Sequence, residues 1–143
     1  MSKKKVLFIC IHNSARSQMA EELLRKYGGD KFEVTSAGIE PGKVNPFVVE
    51  VLRANEGIDI ADKETQKAAD LAAAGNRYDY IVTVCDETAA ERCPVFPGGG
   101  RRLHWGFRDP SAFEGTTEAK HAFTEEILGE IKAKINAWLK EDT

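Results

Sequence analysis

Apolar and polar residues follow two different periods along this chain, and the two periods predict strands and helices. Short apolar runs rich in strand-forming residues occur at 5–9, 32–37, 78–84 and 102–107. Apolar residues at helical spacing occupy 18–27, 46–56, 64–74 and 117–140. Strands that alternate with helices form a parallel sheet with helices packed on its faces. The pattern therefore predicts an α/β fold of three layers, in which helices flank a four-stranded parallel sheet.

Turn and cap residues mark several element ends. Asn45-Pro46 predicts a helix start and Gly57 a helix stop. The irregular stretch 86–100 ends in three consecutive glycines, which predicts a segment able to rearrange, and 88–92 within it has helix-forming character. The last predicted helix carries an apolar stripe that we expect to face the core: Phe123, Ile127, Leu128, Ile131, Ile135, Trp138 and Leu139.

The residues after the first predicted strand carry the candidate chemistry. They form a loop that leads into a helix: Cys10, Ile11, His12, Asn13, Ser14, Ala15, Arg16 and Ser17. The unpaired N–H groups and the dipole at a helix start bind anions and favour a thiolate over a thiol. Arg16 offers paired planar donors for a tetrahedral oxyanion, Ser17 can donate to a cysteine sulfur, and Asn13 tolerates a left-handed backbone. The alternative is a buried structural cysteine and a solvated arginine, but the loop predicts a nucleophilic Cys10 beneath an oxyanion held by residues 11–17.

Three candidate residues directly follow predicted strands. Cys10 follows the first strand, Cys85 the third and Asp109 the fourth. The carboxyl ends of parallel strands share one edge of a sheet, and ligands bind there. Asp109-Pro110 is also a common turn, but at this edge its acid could protonate the leaving oxygen of an oxyanion.

Composition and charge narrow the class of protein. The chain has 143 residues, 42% of them apolar and 30% charged, which predicts a single domain over 1–143 with one core. A net charge of −3 gives no basis for binding nucleic acid or an anionic membrane. The apolar run before Cys10 is too short for a signal peptide or a membrane span. We therefore expect a cytoplasmic protein, and a monomer.

The cysteines Cys10, Cys85 and Cys93 indicate thiol chemistry. An odd number of cysteines argues against a disulfide scaffold, and a zinc site from Cys85, Cys93 and His104 would lack the usual ligand pairs, so no metal is predicted. Two reactions of a bound oxyanion can be compared. Hydrolysis of a phosphate ester needs only one nucleophilic cysteine and leaves two thiols unused, whereas reduction of an oxyanion takes two electrons, which a dithiol supplies. The alternative is that Cys85 is a buried strand-end residue and Cys93 a chance surface thiol.

These motifs resemble a known family. Cys-x5-Arg-Ser after a first strand is similar to the phosphate-binding loop of low-molecular-weight protein tyrosine phosphatases. The string from Asn13 to Glu21, with Cys93-Pro94 and the His-Trp-Gly-Phe string at 104–107, is more similar to the arsenate reductases built on that fold. The resemblance covers nearly the whole chain and implies a low-molecular-weight tyrosine phosphatase-like fold.

The resemblance also implies a role for each cysteine. In thioredoxin-coupled arsenate reductases one cysteine attacks arsenate, a second attacks the first and releases arsenite, and a third captures the second. Here these would be Cys10, Cys85 and Cys93, with Arg16 holding the oxyanion and Asp109 as the acid. Phosphate or sulfate would bind as analogues of arsenate. The resemblance implies no tightly bound cofactor but an external thiol reductant, either thioredoxin or glutaredoxin with glutathione.

Some relatives bind a potassium ion beside the loop. Asn13, Glu21 and Ser36 match that site, but Gln66 stands where its carboxylate is expected, and no potassium is predicted. Many relatives have a second cysteine in the loop, and Ala15 replaces it here. The three-cysteine mechanism does not need that second loop cysteine.

Two other functions compete with the reductase. A low-molecular-weight tyrosine phosphatase shares the loop and the acid but leaves Cys85 and Cys93 without a use. A non-catalytic sensor could bind an oxyanion or respond to oxidation through its thiols, although we expect neither a DNA-binding element nor a second domain.

Overall fold

A parallel sheet forms the centre of the computed structural model, which describes residues 3–85 and 91–142. Its strand order is β2-β1-β3-β4, and each pairing is parallel. The strands are Lys4–Cys10 (β1), Phe32–Gly38 (β2), Tyr80–Thr83 (β3) and Arg101–His104 (β4). The helices are Arg16–Gly28 (α1), Pro46–Glu56 (α2), Ala68–Ala73 (α3) and Thr117–Asp142 (α4). The predicted α/β class and the four-stranded parallel sheet are confirmed.

Side chains on the two faces of the sheet form two apolar clusters. Successive residues of a strand point to opposite faces, so Phe8 enters the larger cluster and Ile9 the smaller. Helices α1, α2 and α4 cover the larger cluster, and α3 covers the smaller. The helices therefore lie on both faces, as the prediction of three layers requires. The predicted stripe of α4 faces the larger cluster, with Ile127, Leu128, Ile131, Ile135 and Trp138 buried and Phe123 and Leu139 partly buried.

The helix predicted from residue 64 begins only at Ala68, so this boundary was wrong. The residues just before it are tied to the end of β2, because Gly38 N–H donates to the carbonyl of Gln66 (2.8 Å) and Gly38 pairs with Lys67. Backbone groups used in this way cannot close a helical turn. The fourth strand is also shorter than predicted and ends at His104.

The predicted ends of α2 are confirmed. Asn45 accepts a hydrogen bond from Phe47 N–H on its side-chain oxygen (2.8 Å), and Gly57 closes the helix at φ +69°. Such a left-handed residue favours glycine because a Cβ is strained there.

The three glycines at 98–100 have structural reasons of their own. Gly98 and Gly99 have φ values of +96° and +64°. A Cβ at Gly100 would collide with the carbonyl oxygen of Tyr78, so the chain passes close to the residues that precede β3. The helix-forming stretch at 88–92 lies mostly outside the described residues. In the ranges that are described, no helix is both long and apolar enough to cross a membrane.

Candidate active site

The loop between β1 and α1 wraps around the sulfur of Cys10. Asn13 adopts a left-handed conformation (φ +55°), which asparagine tolerates, and its N–H donates to Cys10 Sγ (3.2 Å). Ser17, in the first turn of α1, holds its hydroxyl oxygen 2.9 Å from the same sulfur. All three residues are buried. The sulfur therefore lies inside the loop with two polar partners, and one of them is the predicted Ser17 hydroxyl.

The loop carbonyls point outward to the segment that follows β2. Three backbone hydrogen bonds hold them, from Glu40 to Ile11 (2.8 Å), from Gly42 to His12 (3.0 Å) and from Asn45 to Ser14 (2.9 Å). The C=O and the N–H of one planar trans peptide point in opposite directions. The N–H groups next to these carbonyls therefore face away from the segment, toward the side where an anion would lie.

The start of α1 adds to the attraction for an anion. The residue that precedes it, Ala15, offers no side-chain cap, and the first turn contains no acidic residue. The free N–H groups at a helix start carry a partial positive charge that favours a bound anion. Together with the loop amides, the start of α1 presents N–H donors at the position where the sequence predicts an oxyanion.

Arg16 and Asp109 meet at the mouth of the loop. The Arg16 side chain is 5% exposed, and its Nη1 donates to the carbonyl of Phe107 (3.0 Å). Its Nη2 lies 3.5 Å from Asp109 Oδ2. The other oxygen of Asp109 accepts from Ser111 N–H (2.9 Å), which fixes the carboxylate. The segment after β4 thus brings the candidate acid to the anion loop, as the common sheet edge predicts.

The three cysteines do not all lie on the same face of the sheet. Cys10 and Cys85 both belong to the larger cluster, at the ends of the neighbouring strands β1 and β3. Cys93 is partly buried and packs against the smaller cluster, on the opposite face. Arg102 Nη2 donates to the carbonyl of Pro94 (2.7 Å) and fixes the chain next to Cys93. Burial raises the pKa of the Cys93 thiol, although Arg102 acts in the opposite direction.

His12 and His104 lie outside the anion loop. His12 is exposed, and its Nδ1 is 2.9 Å from the carbonyl oxygen of Glu40, so its ring is turned to the 39–45 segment. His104 Nδ1 pairs with Thr83 Oγ1 (2.7 Å) between β4 and β3. Within 3–85 and 91–142, no group of three or more His, Cys, Asp or Glu side chains could hold a metal ion.

Several contacts that shape the site were not predicted from the sequence. A Cβ at Gly38 would lie 2.9 Å from backbone atoms of three loop residues, so the loop requires a glycine there. Gln18 Nε2 donates to the carbonyl of Asn13 (3.0 Å). Lys63 Nζ lies 2.6 Å from a carboxylate oxygen of the buried Glu21. The contact of Gln18 is local. The contacts of Gly38 and Lys63 join distant parts of the chain that only the fold brings together.

A cavity of about 390 Å³ adjoins the loop. It combines apolar walls with two lysines, and its lining includes His12, Ser14, Lys43, Phe47, Pro110, Phe113 and Lys120. The cavity is larger than a tetrahedral oxyanion, so a substituent bonded to an oxyanion in the loop would have room there.

Comparison with known proteins identifies the family of this chain. Residues 5–142 match the family model for the low molecular weight phosphotyrosine protein phosphatase. An arsenate reductase of Bacillus licheniformis is 44% identical over 135 residues, which cover 94% of each chain. The structure of a thioredoxin-dependent arsenate reductase of Corynebacterium glutamicum is 33% identical with a TM-score of 0.71, covering 97% of this chain and 61% of that one.

A further solved structure, an arsenate reductase in the phosphate binding state, has a TM-score of 0.73 at 25% identity and covers 98% of this chain and 99% of that chain. The family match extends over almost the whole sequence, and the curated relative aligns along nearly its full length. The chain therefore belongs to the low-molecular-weight phosphotyrosine protein phosphatase family, in the group of its arsenate reductases.

Proposed function

We propose that this protein reduces arsenate to arsenite with electrons from its own thiols, which an external dithiol then restores. The observation that carries the proposal is the pair of buried cysteines, Cys10 and Cys85, at the ends of adjacent parallel strands on one face of the sheet. Phosphate-ester hydrolysis needs only the first of them. The names of the relatives at 42–44% identity support the same activity.

The first step is attack by the Cys10 thiolate on the arsenic of bound arsenate. Arg16 and the amides of residues 11–17 neutralise the oxyanion, and Ser17 and Asn13 N–H stabilise the sulfur before the attack. An S–As bond forms and one arsenate oxygen leaves as water, with a proton from Asp109. The position of Asp109, 3.5 Å from Arg16, supports this role because it lies next to the group that holds the oxyanion.

The second step transfers two electrons. The Cys85 thiolate attacks Cys10 Sγ, so a Cys10–Cys85 disulfide forms while the S–As bond breaks. Arsenic keeps the electron pair of that bond and leaves as arsenite, reduced from As(V) to As(III). The shared cluster of Cys10 and Cys85 supports this step, since neither sulfur has to cross the sheet.

The third step passes the disulfide to Cys93. Its thiolate attacks Cys85, which frees Cys10 and leaves a Cys85–Cys93 disulfide for a dithiol protein to reduce. Because Cys93 packs on the opposite face of the sheet, this step requires the chain around it to leave its contact with the smaller cluster. A thioredoxin-like protein is the proposed reductant, and the thioredoxin dependence named for the Corynebacterium glutamicum enzyme supports it.

The decisive experiment follows arsenate-dependent NADPH consumption with thioredoxin and thioredoxin reductase, and again with glutathione and glutaredoxin. The parent is expected to turn over with one of the two systems. Cys93→Ser should release one arsenite per protein and then stop, whereas Cys85→Ser should release none. Turnover of Cys85→Ser at the parental rate would rule out the thiol relay.

A second candidate function, hydrolysis of aryl phosphates, is favoured by one observation. The cavity of about 390 Å³ beside the loop has Phe47 and Phe113 in its lining, which suits an aromatic leaving group. Rapid hydrolysis of an aryl phosphate, together with silence in both NADPH assays, would establish the phosphatase and leave Cys85 and Cys93 without a catalytic role.

A further inference from the structure

Hydrogen bonds behind the anion loop connect the sulfur of Cys10 to a carboxylate. Ser36 Oγ donates to Glu21 Oε1 (2.5 Å), so its oxygen accepts from Asn13 Nδ2 (3.0 Å). The same Nδ2 donates to Ser17 Oγ (2.7 Å), which leaves the Ser17 hydrogen for Cys10 Sγ (2.9 Å). An ionised carboxylate at one end thus directs an O–H donor to the sulfur at the other end.

An independent contact fixes the direction of these hydrogen bonds. Asn13 Oδ1 accepts from Gln66 N–H (3.1 Å), so the amide nitrogen of Asn13 must face the two serines. The serine and asparagine members of the chain are at most 3% exposed. Water is therefore largely excluded from reversing the order of donors, which Glu21 sets at Ser36 and Gln66 N–H sets at Asn13.

Glu21 needs positive partners because it is nearly buried. Its side chain is 6% exposed, and a charge taken out of water is costly unless it is paired. Lys63 Nζ lies 2.6 Å from Glu21 Oε2 and 2.6 Å from Glu22 Oε2. Arg25 Nη2 also contacts Glu21 Oε2 (2.5 Å). Burial lowers the pKa of Arg25, but its bonds to the two glutamates outweigh this and leave the pKa raised.

The residues that match the potassium site of some relatives do not fit a metal ion in this chain. Both oxygens of Glu21 already accept from Ser36, Arg25 or Lys63. Asn13 Oδ1 accepts from Gln66 N–H, and the carbonyl of Ser36 accepts from Gln66 Nε2 (2.8 Å). The ammonium group of Lys63 supplies positive charge where a free cation would otherwise have to bind.

We propose that Lys63 is a positioning residue for Cys10, acting through the ionised Glu21 and the hydrogen-bonded chain of Ser36, Asn13 and Ser17. It keeps the Ser17 hydroxyl directed at the sulfur without touching the oxyanion. The proposal rests on the proposed function only in taking Cys10 as the reacting thiol. It therefore makes a prediction for the protein without any arsenate.

The test measures alkylation of Cys10 by iodoacetamide between pH 5 and 9, with the modified peptide counted by mass spectrometry. In Lys63→Met the midpoint of the pH profile should move upward, and the rate at pH 6.5 should fall by about threefold to tenfold. Lys63→Arg should restore the parental profile. The other charged groups around the loop and around Glu21 are unchanged in these variants: Arg16, Asp109, Glu22 and Arg25.

Lys132→Met is the matched control. Lys132 also pairs with a glutamate, Glu56 (3.2 Å), whose side chain is 4% exposed. Glu56 keeps a second cation in Lys26. The contacts of Glu56 do not include the loop of Cys10. This variant should therefore alkylate with the parental pH profile.

A double-mutant cycle separates the chain from a general charge effect. Ser36→Ala should itself move the profile upward, and Lys63→Met should add nothing in that background. A parental profile for Lys63→Met or Ser36→Ala, or additive shifts in the double variant, would overturn the proposal. If Lys63→Met does not fold by circular dichroism, the Ser36→Ala result decides.

Two further outcomes complete the test. Exchange of potassium chloride for choline chloride at constant ionic strength should leave the parental rate unchanged, and acceleration by potassium would overturn the proposal. A shifted alkylation profile in a protein that fails to reduce arsenate would refute the proposed function and support the role of Lys63.

Discussion

Replacing Gly38 with alanine tests how closely the anion loop must approach the end of β2. A Cβ at this position would lie 2.9 Å from Asn13 N, His12 C and Ile11 O. Ordinary contacts of a carbon atom are about 3.5–4.0 Å, so the loop or the strand must move by about half an ångström or more. Gly38 N–H is held by the carbonyl of Gln66 (2.8 Å), and Gly38 pairs with Cys10 in the sheet.

The clash involves backbone atoms held on both sides, so it should not relax cheaply. Overpacking of this kind destabilises a protein by about 1–3 kcal/mol. A hydrogen bond to a charged group contributes about 1.5–3 kcal/mol, so displacing one loop amide from the oxyanion should weaken its binding about tenfold or more. We therefore expect Gly38→Ala to lower the free energy of unfolding by about 1–3 kcal/mol and to weaken oxyanion binding by about tenfold or more.

Two assays separate these effects. Urea unfolding followed by fluorescence of the buried Trp105 and Trp138 gives the stability. Protection of Cys10 from iodoacetamide by phosphate gives the affinity of the loop. Gly129→Ala is the control, because it lies within α4 with nothing within 4 Å of the added Cβ and should stabilise by about 0.5–1 kcal/mol. A Gly38→Ala protein with parental stability and parental protection would refute the steric reasoning.

Two other predictions concern the mouth and the third cysteine. Arg16→Lys keeps the charge but loses the planar guanidinium that reaches both Phe107 and Asp109. The steady-state kcat/KM for arsenate should therefore fall about a hundredfold. A value near the parental one would contradict this prediction. Burial raises the pKa of Cys93, so its alkylation at pH 8 should be slower in the folded protein than in urea, and Arg102→Ala should slow it further; faster alkylation in the folded state would show that the sign is wrong. Because the pKa of Cys93 is higher in the native state than in the unfolded state, the native state binds more protons. The free energy of unfolding should therefore fall as the pH rises above the unfolded pKa of a cysteine, about 8.5, and through the higher pKa of the folded protein.

The sequence alone predicted what depends on neighbouring residues. The two hydrophobic periods predicted the α/β class and the parallel sheet, because alternating strands and helices leave few other topologies. The left-handed Asn13 and the cap at Asn45 were predictable because both depend on local backbone chemistry. The helix boundary at residue 64 was not, because a long-range hydrogen bond from Gly38 overrides local helix propensity.

The anion loop was also within reach of the sequence, since Cys10, Arg16 and Ser17 lie on one short segment between a strand and a helix. Contacts between distant segments were decided only by the tertiary structure. Arg16 finds the carbonyl of Phe107 across 91 residues of sequence, and Lys63 reaches Glu22 across 41. The tertiary structure also decided that Cys93 packs on the opposite face of the sheet from Cys10 and Cys85. Side-chain periodicity fixes which residues are buried, whereas the path of the chain between elements fixes which buried residues meet.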